Sequence, residues 1–234
     1  MIYERTHKVG LDEVNKSLLM TNRAIIVSIE NTAACQTDSI GYGILDIPKT
    51  FLTWFVIDWK VKVNKRPKYG DEITIKTWGR DTSECFSYKD FELYVNDKLY
   101  VQATSKWILL NTKTKTYENI PDYLLKLCPN EDNLSTFTER KLNHLEVLDN
   151  YDNKTRIYIR KSDLDFNNHV NNVKYFDYLI DYNNAIEYDN FRITYRREIK
   201  EDEEVYLCHS RIGNKDLYAI IDKDNNIKTI IECE

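Results

Sequence analysis

Glycine and proline are scarce in this 234-residue chain, at six and four. That scarcity excludes collagen-like, linker-rich and low-complexity architectures. No long hydrophobic run is present. The longest aliphatic stretch, Ala24 to Ile29, falls far short of the roughly 20 apolar residues of a spanning helix, so no membrane span is expected. Met1 to Gly10 carry charges throughout and lack the apolar core of a secretory signal. The Asn-x-Ser/Thr sites at Asn15, Asn133 and Asn153 therefore carry no weight. Five cysteines, Cys35, Cys85, Cys128, Cys208 and Cys233, form no Cys-x-x-Cys pair. Neither a disulfide framework nor a structural zinc site is expected from them. Positive charge is not in excess: 33 Lys and Arg face 38 Asp and Glu, for a net charge of −5. A nucleic-acid partner is not expected on that balance. The chain reads as soluble, reduced and cytoplasmic.

What is present is 42% hydrophobic and 30% charged residues, enough to pack a core. The pattern predicts a strand over Ile2 to Val9, then an apolar helix from about Thr21 to Thr37 with its exit at Gly41-Tyr42-Gly43. Ala24, Ile25, Ile26, Val27, Ile29, Ala33 and Ala34 cover more than one stripe, so this helix should be buried on most sides. Strands are predicted over Phe51 to Val63, Glu72 to Trp78, Cys85 to Val95 and Leu99 to Leu110, with a hairpin turn at Asn96-Asp97-Lys98.

From Thr112 to about Lys154 the pattern weakens, apart from a short helix between Pro121 and Pro129. It then restarts, with a strand at Arg156 to Arg160 and an apolar helix at Asn168 to Asp181. Further strands are predicted over Phe191 to Arg197, Val205 to Arg211, Leu217 to Ile221 and Ile227 to Ile231. Strand, helix and antiparallel strands repeated at a period of about 150 residues suggest two copies of one module. The implied class is α+β, with two curled antiparallel sheets each wrapped around a long apolar helix. The alternative is one large α+β domain with coincidental echoes. The expected boundaries are a first module at 1–118, a connector at 119–153 and a second module at 154–234.

Chemistry concentrates between Asp163 and Tyr175. Asp165, Asn167 and His169 alternate, so in an extended segment they would face one way. The predicted helix starts directly after them. Its first-turn N–H groups, near Val170 and Asn171, would stabilise an oxyanion formed from an attacked carbonyl. A carboxylate, an amide and an imidazole beside a helix start suit acyl transfer. The plainer readings are that Asn167 or Asn168 caps the helix and that Asp163 or Asp165 complements its dipole. A calcium loop fails, because Asn168 and Lys174 stand where Gly and Glu are required. No nucleophile elbow, Walker loop, dinucleotide fingerprint or His-Glu-x-x-His is present. No cofactor or metal is expected.

The run Asn167-x-His169-Val170-Asn171-Asn172-Val173-Lys174-Tyr175, with Tyr195-Arg196-Arg197-Glu198, resembles the acyl-ACP thioesterases of plant plastids and bacteria. The likeness extends to the first helix and to Tyr69-Gly70-Asp71 before Ile73 to Trp78. It implies a tandem, or double, hotdog fold and hydrolysis of fatty acyl-ACP to fatty acid and acyl carrier protein. It also implies that Asp165, Asn167, His169 and Glu198 are catalytic and that the first half shapes the acyl-chain tunnel, with Trp54 and Phe55 near its wall. The plant enzymes carry a Cys after that Glu, where this chain has Ile199. For an acidic carrier protein, Lys60, Lys62, Lys65, Arg66 and Lys68 offer a basic run, with Arg196 and Arg197 as further candidates. The rival readings are a hotdog acyl-CoA thioesterase and a non-catalytic acyl-binding protein on the same fold. Exposed sheet edges would allow a homodimer.

Overall fold

The computed structural model describes residues 1–183 and 187–234. The chain divides into two compact units, Met1–Leu142 and Asn143–Glu234. In the first, β1 (Tyr3–Lys8) leads to α1 (Asn22–Ser39), and a one-turn α2 (Ile47–Thr50) precedes the strands. These are β2 (Leu52–Val63), β3 (Glu72–Ser83), β4 (Phe86–Val95), β5 (Lys98–Asn111) and the short β6 (Thr116–Tyr117). The sheet is antiparallel in the order β1-β3-β4-β5-β2, with β6 on β5. The second unit holds β7 (Asn153–Ile157), α4 (Lys174–Asn183), β8 (Asn190–Tyr195), β9 (Val205–Ile212), β10 (Lys215–Asp222) and β11 (Ile227–Cys233). Its antiparallel order is β8-β11-β10-β9-β7. A short α3 (Asp122–Leu127) lies in the first unit between Pro121 and Pro129.

Local chemistry accounts for these elements. Thr21 caps α1, its Oγ1 accepting the Ala24 N–H at 3.1 Å. Ala24, Ile25, Ile26, Ser28, Ile29, Thr32 and Ala33 are buried over about half of the helix circumference, while Val27 and Ala34 on the other side are half-buried. The helix ends ahead of Gly41, whose φ is +75°. Asn96 and Asp97 take φ values of 48° and 59°, the left-handed pair that a two-residue hairpin turn demands. In β3, Ile73, Ile75 and Trp78 are buried. Trp59 is fully buried, its ring 5.3 Å from that of Phe91. Truncating such a core aromatic to Ala costs about 3–5 kcal/mol. The second unit packs Phe176 edge-on against Phe191 at 4.9 Å, beside buried Ile193, Leu207 and Ile230.

The stretch after α3 stays with the first unit for an electrostatic reason. Arg80 is fully buried, with Nε donating to Asp90 Oδ1 at 2.9 Å and an η-nitrogen to Thr104 Oγ1 at 3.0 Å. Its other η-nitrogen reaches the Arg140 carbonyl at 2.7 Å, while Asp90 Oδ2 accepts the Thr136 N–H at 2.9 Å. Both charges of this buried pair hold the 136–140 backbone against the sheet.

The second helix departs from expectation. It begins at Lys174 rather than Asn168, because Asn168 sits at φ 59°, a left-handed conformation that no right-handed helix contains. Its ten described residues are amphipathic, with Tyr175, Phe176, Tyr178 and Leu179 buried and Ile180 and Asp181 exposed. No helix among the described residues is long and apolar enough to cross a membrane.

Candidate active site

Asp165, Asn167 and His169 lie on a tight turn, not on the extended segment that their alternation suggested. The Asp165 and His169 backbones bridge the turn at 2.8 Å, and the Asn168 N–H reaches the Asp165 carbonyl at 3.1 Å. Asp165 Oδ1 accepts the N–H groups of Asn167 at 2.8 Å and His169 at 3.2 Å, an aspartate-centred turn of the kind short acidic side chains favour. Oδ2 of Asp165 makes no hydrogen bond among the described residues. Asn167 is exposed and His169 half-buried.

Glu198 joins them from the segment after β8. Its Oε2 lies 3.3 Å from His169 Nε2, with the carboxylate more exposed than the ring. Backbone pairing between His169 and Lys200 sets this approach. Lys228 Nζ supports it from beneath, donating to the Glu198 carbonyl at 3.3 Å. The turn therefore brings together a carboxylate, an amide, an imidazole and a second carboxylate, the four residues that the resemblance singled out. Ile199, next to Glu198, is fully buried. No thiol stands at that position, and the side chain there is a core residue.

The two backbone N–H groups expected to form an oxyanion hole are already occupied. Val170 N–H donates to the Ile199 carbonyl and Asn171 N–H to the Asp163 carbonyl, both at 2.8 Å. The cause is the later helix start: these residues belong to the loop's internal bridges and not to a free first turn. Asn171 instead caps the turn ahead of α4, its Oδ1 accepting the Val173 N–H at 3.2 Å. The cap thus falls on Asn171 rather than on Asn167 or Asn168.

A second copy of this loop stands in the first unit, displaced by about 150 positions, the period read from the sequence. Asn15 Oδ1 accepts the N–H groups of Ser17 at 2.9 Å and Leu19 at 3.3 Å. Leu18, with φ 60°, matches Asn168 with φ 59°. Val14 bridges Met20 as Leu164 bridges Val170, and Leu19 pairs with Lys68 as His169 pairs with Lys200. Glu13 and Asp163 each take the backbone N–H three residues earlier, and each also accepts from the following helix, Ser28 at 3.3 Å and Tyr178 at 3.0 Å. In this register Asn15, Ser17, Leu19 and Arg66 occupy the places of Asp165, Asn167, His169 and Glu198. The loop forms with either set, so its geometry does not require the four polar residues of the second copy.

The remaining candidates are dispersed. On β2, Lys60 pairs with Glu139 at 2.8 Å and lies over Phe137, while Lys62 is exposed two residues on. Lys65 sits 5.0 Å over the Tyr100 ring and Lys68 is exposed. Arg66 turns back to the Met20 carbonyl at 3.1 Å. Arg196 and Arg197 are exposed in the second unit.

Sequence reasoning missed most of a cavity of about 230 Å³ in the first unit. Small residues on one face of α1, Ala33, Ala34 and Thr37, leave the space, and Trp54, Trp107, Ile120 and Leu124 wall it. Of the two aromatics named from the resemblance, Trp54 lines this cavity, whereas Phe55 is exposed. Glu30 and Lys89 also face this space. Burial pushes the Glu30 carboxyl up to about 7 and the Lys89 ammonium down to about 8. The signal was available in part, since Glu30 interrupts an otherwise apolar helix face.

The profile of the acyl-ACP thioesterase N-terminal domain matches residues 1–128, and that of the C-terminal domain matches residues 147–232. The chloroplastic acyl-[acyl-carrier-protein] hydrolase FATB3 of Cuphea viscosissima is 25% identical over 236 residues, covering 92% of this chain and 56% of that protein. The chloroplastic oleoyl-acyl carrier protein thioesterase of Coriandrum sativum is 26% identical, covering 86% of this chain and 59% of its own. The chain thus spans less than two-thirds of the length of these relatives. Among solved structures, the 12:0-ACP thioesterase from Umbellularia californica superposes with a TM-score of 0.81 at 21% identity, covering 100% of this chain and 96% of that one. An acyl-ACP thioesterase from Bacteroides thetaiotaomicron gives the same score at 15% identity, over 99% and 96%. These two share the double hotdog fold with this chain. With the two family domains matched in order along its length, the chain belongs to the acyl-ACP thioesterase family.

Proposed function

We propose that this protein hydrolyses the thioester of fatty acyl-ACP, releasing a free fatty acid and the carrier protein, and that Asp165, Asn167, His169 and Glu198 carry the reaction. One observation supports this above the others. The same loop is built twice, and in the second copy the position matched by Leu19 carries the His169 imidazole, 3.3 Å from the Glu198 carboxylate that stands where the first copy has Arg66.

The chemistry follows from what each group is free to do. Glu198 Oε2, 3.3 Å from Nε2 of His169, is close enough to stabilise an imidazolium, and in this scheme Nδ1 is the nitrogen that takes up the proton. Water loses a proton to that nitrogen as its oxygen bonds to the thioester carbon. The tetrahedral intermediate then collapses with cleavage of the C–S bond, and the imidazolium returns the proton to the departing thiolate. Asp165 offers Oδ2 to the same water, since Oδ1 is committed to the loop. Direct attack by Oδ2, giving an anhydride that water then opens, is the other route this placement allows. In this scheme the Asn167 amide holds the carbonyl oxygen.

In this reading the first unit's cavity receives the acyl chain, and the exposed lysines Lys62, Lys65 and Lys68 meet the acidic carrier. The deciding experiment is release of fatty acid from a chain-length series of acyl-ACPs beside the matching acyl-CoAs. Preference for acyl-ACP is expected. Preference for acyl-CoA discards the carrier assignment, and hydrolysis of neither discards the catalytic one.

A further inference from the structure

The first unit's cavity is not uniformly apolar. Trp54, Trp107, Ile120 and Leu124 form one part of its wall, and Glu30, Gln36 and Lys89 line another. Lys89 Nζ donates to Gln36 Oε1 and makes no ion pair among the described residues. Glu30 Oε1 is buried and meets no well-formed hydrogen bond, its carboxyl facing the Trp59 indole as its polar neighbour, and no ion pair joins Glu30 to Lys89. Buried ionisable groups without a counter-charge cost several kcal/mol unless something satisfies them. An alkyl chain filling this space would leave Lys89 with Gln36 and Glu30 with the Trp59 indole, and would add no further polar partner to either. A chain bearing a hydroxyl would accept a hydrogen bond from Lys89 or donate one to Glu30.

We propose that the cavity selects acyl chains carrying a hydroxyl group, with Lys89 and Glu30 as the residues that recognise that oxygen. The inference rests on the reading above that the first unit receives the acyl chain. Its physical basis is the asymmetry of polar recognition: a site built to bond a hydroxyl penalises a ligand that lacks it, because its own buried groups are left unpaired.

The test compares kcat/KM for hexadecanoyl-ACP with that for its monohydroxy analogues, substituted near the thioester, at mid-chain and at the terminal carbon. The proteins are wild type, Lys89→Met, Lys89→Gln and Glu30→Gln. Binding of methyl octadecanoate and methyl 12-hydroxyoctadecanoate is measured in parallel, as esters so that no free carboxylate seeks Lys89. In the wild type, at least one hydroxylated chain is expected to be favoured by about tenfold or more. Lys89→Met should bring that ratio toward one while improving use of the plain chain, and Lys89→Gln, which keeps a donor, should retain part of it. Thermal melts verify that each variant is folded. Equal or better use of the plain chain across the panel overturns the proposal, as does a ratio that Lys89→Met leaves unmoved. A longer preferred plain chain in Lys89→Met also overturns it, since the lysine would then only be a floor. If no acyl-ACP is hydrolysed but the hydroxylated ester binds better through Lys89, the thioesterase reading falls and this one stands.

Discussion

Asn15 and Asp165 perform one structural task in two copies of the same loop, each holding through Oδ1 the backbone N–H groups two and four residues ahead. An uncharged amide therefore suffices for the turn. Asp165→Asn should keep the fold, with a Tm within about 2 °C of wild type, and should lower acyl-ACP turnover by about 10²-fold or more. Melting and hydrolysis measured on one preparation check both halves. A large fall in Tm would mean that the charge itself holds the loop.

His169 and Glu198 act in this scheme as one unit. His169→Leu installs the residue found at position 19 and should leave stability nearly unchanged. Glu198→Gln removes only charge. Each should cost about 10²-fold in kcat, and the double variant should be little worse than the poorer single one. Multiplicative losses in the double variant would show that the two groups serve separate steps.

Asp90→Ala tests the clamp that retains 136–140. It leaves Arg80 buried beside one lost partner and frees the Thr136 N–H, so a loss of about 3 kcal/mol is expected. In a protein of this size that lowers Tm by roughly 10 °C. Arg80→Met with Asp90→Leu should lose less than Asp90→Ala alone. A neutral Asp90→Ala would show that the pair contributes nothing.

Glu30 and Lys89 make stability depend on pH in opposite windows. The folded pKa of Glu30, about 7 against an ordinary 4.5, means the fold binds the extra proton between those values. Its ionisation cost is absent at the lower pH, grows through the window and is complete above it. Glu30→Gln should therefore raise Tm at pH 8 and change it little at pH 4.5. Lys89, near 8 in the fold against 10.5 ordinarily, imposes its cost below pH 8 and sheds it as pH rises further. Lys89→Met should stabilise most at or below neutral pH. Melts across pH 4.5–10 with no such divergence would place both groups in contact with water.

Carrier docking predicts a charge signature. Lys62→Glu and Lys68→Glu alter exposed side chains and should raise KM for acyl-ACP without lowering kcat. The effect should shrink as salt is added. An unchanged KM at low salt would move the docking surface elsewhere.

Much of this was legible in the sequence. The first helix, the Asn96-Asp97 turn, the strands and the repeat all emerge from apolar periodicity and turn chemistry. The run from Asp165 to His169 supplied the candidate side chains, but its alternation pointed to an extended segment. Backbone bonds from Asp165 and a left-handed Asn168 decide otherwise, and neither shows in a period-two pattern. The expected oxyanion donors Val170 and Asn171 failed for the same reason, since a helix drawn six residues too early left their N–H groups free on paper. The Arg80–Asp90 pair and the meeting of Glu30 with Lys89 in one cavity were out of reach, because each joins residues whose proximity only the folded sheet creates.

The paired loops also separate two kinds of selective pressure. Backbone bonds and the acids at 13 and 163 hold the shape, which leaves positions 17, 19, 167 and 169 free of architectural duty. Mutation can sample those positions without first risking the fold, so chemistry could be gained in one copy and lost or withheld in the other at little hazard to the protein. Such a loop is evolvable because what makes it stable and what makes it reactive are written in different atoms.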